Sequence, residues 1–93
     1  MDLAGFKESL IAHIPPECSA YLQSLWYDAK GDWNKAHVLV QDIDDTTAAW
    51  IHAYLHRKEG DISNADYWYH RAGKKRPSGT LAEEWEQMVS SLL

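Results

Sequence analysis

The chain has a single cysteine, Cys18, among 93 residues. That excludes an internal disulfide and any zinc site built on thiolates. A lone cysteine among many core candidates reads as a small apolar filler. Basic residues are also scarce, 9 against 14 acidic ones, and the formal charge is −5. A nucleic-acid partner wants a basic stripe, so none is expected. No apolar run approaches the ~20 residues of a membrane span. No charged-then-apolar leader precedes a small-residue cleavage site. The expectation is a cytoplasmic protein with no membrane partner. No stretch alternates apolar and polar residues for long, so no sheet is predicted. Gly-x-Ser-x-Gly and a glycine-rich phosphate loop are both missing. No catalytic residue and no cofactor are singled out.

What is present is helical periodicity. A chain this short forms one domain, residues 1–93. Its small core is offset by large payloads, Trp26, Trp33, Trp50, Trp68 and Trp85. Leu3, Phe6, Leu10 and Ile14 recur at three- and four-residue steps, which predicts a first helix ended by Pro15-Pro16. A second helix is predicted over Glu17 to Lys30, with Tyr21, Leu22, Leu25, Trp26 and Ala29 along its apolar stripe. Gly31 closes it and Asp32 caps the next, which carries Trp33, Ala36, Val40 and Ile43. Asp45 or Thr46 opens a fourth helix that runs through Glu59. The fifth runs from Ile62 to about Ala72, with Tyr67 facing out. After a loop with Pro77 and Gly79, Thr80-Leu81-Ala82-Glu83 reads as a capping box for the last helix.

Gly31-Asp32 recurs as Gly60-Asp61, and Ala36 recurs as Ala65, both at an offset of 29 residues. A period of that size points to stacked helix pairs. The segment Thr46 to Pro77 resembles a tetratricopeptide repeat, with Ala53, Gly60, Ala65, Tyr69, Ala72 and Pro77 at the family's small, turn and aromatic positions. Ser24 to Ile43 looks like a degenerate copy. The offset departs from the family's period of about 34 residues. His52 and His56 also stand where the family packs apolar or aromatic side chains. The phrase Ala49-Trp50-Ile51-His52-Ala53-Tyr54-Leu55-His56-Arg57-Lys58-Glu59-Gly60-Asp61 is further similar to a family of small uncharacterised bacterial and fungal proteins. These resemblances imply an all-α domain of about six helices, two hairpins flanked by a terminal helix on each side.

The resemblance also implies a concave face. Trp50, Ile51, Tyr54, Arg57 and Lys58 would lie on it, with Tyr21, Leu22, Leu25 and Asp28 extending it. Trp50 and Tyr54 sit one helical turn apart and would form an aromatic shelf. Arg57 and Lys58 would clamp a carboxylate. The expected function is non-catalytic binding of a protein or peptide, with an acidic segment as partner. The competing expectation is that the terminal helices close over this face. Arg57-Lys58 and Lys74-Lys75-Arg76 also fit a plainer role, complementing the dipole at helix ends. A homodimer through Trp68 or Trp85 suits the aromatic content, although tryptophan at helical spacing more often belongs to the core.

The alternative function is a metal or small-molecule site, hydrolytic in one version. His52, His56 and Glu59 follow steps of four and three, so they share a helix face. Two imidazoles and a carboxylate are a reasonable metal set. His37 and His70 lie on the helices expected alongside. This is not the His-Glu-x-x-His pattern, because Ala53 stands where the general base would be. His56 with Glu59, or His37 with Asp28 or Asp66, would form an acid–base pair.

Overall fold

The computed structural model describes residues 1–93, and all of the regular structure in it is helical. The helices are α1 (Leu3–Glu8), α2 (Ala20–Ala29), α3 (Trp33–Val40), α4 (Thr46–Lys58), α5 (Ile62–Arg71) and α6 (Leu81–Leu92). A 3₁₀ turn, Ser9–Ile11, extends α1. No helix is long and apolar enough to cross a membrane.

Side-chain oxygens start every α-helix. Asp2, Ser19, Asp32, Asp45, Asp61 and Thr80 each accept from a main-chain N–H in the first turn. Thr80 and Glu83 complete the reciprocal capping box. The two Gly-Asp turns are built alike. Gly31 has φ 86° and Gly60 has φ 87°, conformations that glycine adopts without a Cβ penalty. Asp32 N–H then donates to Tyr27 O, and Asp61 N–H to His56 O. Each bond reaches back over the last turn, so α3 folds onto α2 and α5 onto α4.

Three expected boundaries moved; one is the end of the third helix, which stops at Val40, so Ile43 lies in the loop before α4 with its N–H turned back to Val40 O. The first helix does not reach Ile14, which is 73% exposed, as is Ile11 at 90%. Ser9 Oγ takes the Phe6 carbonyl, and Lys30 Nζ binds the carbonyls of Leu10 and Ala12. The chain is thereby turned away before Pro15. The second helix starts at Ala20 rather than Glu17, because Ser19 supplies the cap. Ala29, expected on the apolar stripe, is exposed at the end of α2.

The last helix decides the architecture. α6 packs across both α2 and α4, and α1 packs on α6. Trp85 is 7% exposed, and its Nε1 donates to Leu25 O at 3.0 Å. With Met88 and Val89 it joins Phe6, Leu25, Trp26, Ile51 and Leu55 in the main core. A smaller cluster of Ala53, Ala65 and Tyr69 holds α4 to α5. The small residues there let the two backbones approach closely.

Candidate functional site

α6 and the hairpins bury a set of charged groups. Glu84 is 2% exposed and accepts from Tyr69 Oη at 2.7 and 2.8 Å, Arg57 Nη1 at 2.8 Å and Trp50 Nε1 at 3.1 Å. Arg57 Nη2 also donates to Gly79 O. Asp28, also 2% exposed, accepts from Tyr54 Oη at 2.8 Å and Lys58 Nζ at 2.9 Å. Tyr21 Oη donates to Asp45. Burial, then the neighbouring Asp28, pushes the Tyr54 phenol far up. Burial and the hydrogen bond to Glu84 do the same for Tyr69. Trp50, Tyr54, Arg57, Lys58, Tyr21 and Asp28 therefore all spend their polar atoms, or their ring, on neighbours within the chain. The face expected to be concave and open carries α6, and Leu22, Leu25 and Ile51, expected on that face, are buried in the main core instead. Tryptophan 85 supplies the reason: its large ring finds more apolar contact on α2 than in water.

A different group of side chains is left with unused chemistry. α3 presents His37, and α4 presents His52 and His56 one turn apart. One ligand nitrogen from each lies within 4.8 Å of the other two. The ring centroids of His37 stand 5.0 Å from His52 and 5.6 Å from His56. Two indoles bracket the trio. Trp68 stacks on His52 at 4.3 Å, and Trp33 stacks on His37 at 5.0 Å. Trp33 is itself anchored by its Nε1, which donates to Leu55 O at 2.8 Å.

Hydrogen bonds set the tautomers. His52 Nε2 faces the carbonyl of Val40 at 3.3 Å, so that nitrogen carries the proton. Its Nδ1 is then a lone-pair nitrogen, and it is the one buried side-chain polar atom without a partner. His56 Nδ1 faces Glu59 Oε1 at 2.7 Å and donates to it. His56 Nε2 is left as an acceptor, with Asn64 Nδ2 at 3.4 Å. Burial, followed by repulsion from the other histidines, lowers the pKa of both His37 and His52. Both forces favour neutral rings, the form that ligates metals.

The sequence-predicted ligands separate here. His52 and His56 come together as expected, and His37 joins them. Glu59 does not complete this trio. It forms a second set with His56 and Asp61 on the exposed side of the turn. The reason is helical phase. Glu59 is the C-cap of α4, where the chain is already leaving the helix, so its carboxylate meets the outer nitrogen of His56. His70 is exposed on α5 and lies outside the cluster. Of the acid–base pairs considered, His56 with Glu59 forms. Asp28 is held by Lys58 and Tyr54, and Asp66 by Arg76, so neither serves His37. Sequence reasoning missed Glu84. Its place in Leu81, Glu84, Trp85 and Met88 puts it on the apolar face of α6, which was the available signal.

Comparisons with known protein families, curated proteins and solved structures returned no match. The chemistry of the trio therefore rests on its own residues.

Proposed function

We propose that this protein binds a transition-metal ion through His37, His52 and His56. The observation that carries the reading is the convergence of three imidazole nitrogens within 4.8 Å, on a His52 that also keeps a buried and unpartnered Nδ1. Leaving such an atom dry costs about 1–3 kcal/mol unless something occupies it. A metal ion removes that cost. Three imidazole nitrogens suit zinc, copper or nickel better than magnesium or calcium, which prefer oxygen. Tetrahedral zinc at about 2.0–2.1 Å from each nitrogen needs ligands about 3.3 Å apart. Closing the trio to that spacing requires a movement, for which half-buried His37 is the least confined of the three. Glu59 and Val40 O then act behind the ligands, orienting His56 and His52 and raising their basicity.

Recognition of an acidic peptide by Arg57 and Lys58 receives less support, because both cations already hold buried carboxylates. The tetratricopeptide-like reading of the two hairpins rests on their matched Gly-Asp turns.

Calorimetry on chelator-treated protein tests the proposal. Zinc or copper should bind with one ion per chain in wild type and in His70→Ala. His52→Ala and His37→Ala should each lose at least tenfold in affinity, the scale of losing one anchoring interaction. Absence of heat with both metals, or full binding by His52→Ala, would sink it.

A further inference from the structure

A second surface has unused charge of the opposite kind. Most cations of the chain are committed. Lys7, Arg57, Lys58, Arg71 and Arg76 pair with carboxylates, and Lys30 sits on two carbonyls. Lys35, Lys74 and Lys75 pair with none. Two of these three are adjacent, on the loop between α5 and α6. In a chain of charge −5, that concentration is local.

The loop is shaped as well as charged. Asp66, His70, Lys74, Lys75, Arg76 and Ser78 help line a concavity of about 470 Å³, in which Arg76 holds the Asp66 carboxylate and leaves the two lysines uncompensated. A second, of about 410 Å³, adjoins it and includes Trp50 and Glu84, whose carboxylate is already held by Arg57. Lys74, Lys75 and Pro77 border both. Lys74 Nζ stands 4.1 Å above the Trp50 ring, which fixes its position without neutralising it. Pro77 holds the strand of loop extended before Ser78. The main-chain N–H groups of Lys75, Arg76 and Ser78 make no hydrogen bond within the protein. Ammonium groups and open N–H groups together make a donor-rich cradle that asks for acceptors.

We infer that this loop is a docking site for an acidic peptide segment of a partner protein. Carboxylates of the segment would meet Lys74 and Lys75 by charge complementarity. Its backbone carbonyls would meet the open N–H groups of the loop. The two adjoining hollows suit an extended chain that crosses the Lys74–Pro77 ridge better than a single compact anion. The surface lies on the loop after α5, and the inference does not depend on the metal proposal.

Fluorescence anisotropy tests it, with a labelled peptide rich in Asp and Glu and a matched peptide carrying Asn and Gln. Wild type and Lys35→Glu should bind the acidic peptide and ignore the neutral one. The double variant Lys74→Glu, Lys75→Glu should bind about tenfold more weakly or worse, the sum of two partly exposed charge contacts. Its circular dichroism should match wild type, since both side chains are exposed. Equal binding by the double variant and Lys35→Glu would overturn the inference. So would binding of the neutral peptide at equal strength, or no binding by wild type. Displacement of the peptide by inorganic phosphate at equimolar charge would assign the cradle to phosphate and also overturn it.

Discussion

Glu84 and His52 show how a single side chain acquires meaning from its neighbours. Glu84 is charged, buried and satisfied by three different donors. Removing one partner of a buried ion pair leaves the other uncompensated, which is costlier than losing the pair. Glu84→Ala should therefore destabilise by about 3–5 kcal/mol, read as a fall in the urea midpoint. Arg57→Ala should lose a comparable amount, because it leaves the more deeply buried Glu84 with only the neutral donors Tyr69 and Trp50. Equal midpoints for Glu84→Ala and wild type would refute this account. His52 is the reverse case: buried and short of one partner. His52 and His37 both titrate below the ordinary histidine value of 6.5 in the folded chain. Above that value the rings are neutral in both folded and unfolded chains, and stability is full. As pH falls below it, the unfolded chain takes up protons that the folded chain resists. Stability is lost until the folded pKa is passed. Urea unfolding should show the metal-free protein weaker at pH 5 than at pH 7.5. His52→Gln should flatten that difference.

At the scale of the element, the Gly-Asp turns bear most of the local information. Gly31, Gly60 and Gly73 all have positive φ, and a Cβ at each would meet open space. The cost of a side chain there is conformational strain alone. Gly60→Ala should lose about 1–2 kcal/mol, the penalty for the left-handed region, seen as a lower melting temperature with unchanged helicity. Asp61→Ala should lose about 0.5–2 kcal/mol by leaving the Asn64 N–H of α5 without its cap. Because α4 and α5 are joined at this turn, either change should also disturb His56, which accepts the Asp61 N–H through its carbonyl. Helix starts and stops of this kind are written in local chemistry, and they were legible. The end of α1 was not, because a distant lysine, Lys30, binds the carbonyls there.

For the whole molecule, α6 converts two hairpins into a closed domain. It brings Trp85 onto Leu25 and Glu84 under Arg57, across 60 and 27 residues of chain. The histidine trio spans the junction between the hairpins, His37 on the first and His52 and His56 on the second. An ion held there stabilises only the folded chain, by about 2.7 kcal/mol when its concentration is a hundred times Kd. Thermal unfolding should shift upward with zinc or copper at pH 7.5 and shift little at pH 5, where protons compete for the ligand nitrogens. A shift of equal size in His37→Ala would place the effect elsewhere.

Periodicity, capping residues and glycine position determined by themselves that this chain is a series of short helices without a sheet. Those signals act over a few residues, and local sterics and hydrogen bonds settle them. The four-residue step from His52 to His56 was equally local, and so was visible. The third histidine, the loss of Glu59 from the trio and the fate of Arg57 and Lys58 were decided only by tertiary packing. Which lone pairs stay free depends on which carbonyls and carboxylates arrive from other helices. Val40 O turns His52 so that Nδ1 is spare, while Asp28 and Glu84 consume the cations that looked available. Burial makes those pairings binding, because in a low dielectric a polar group without a partner costs too much to leave unmatched.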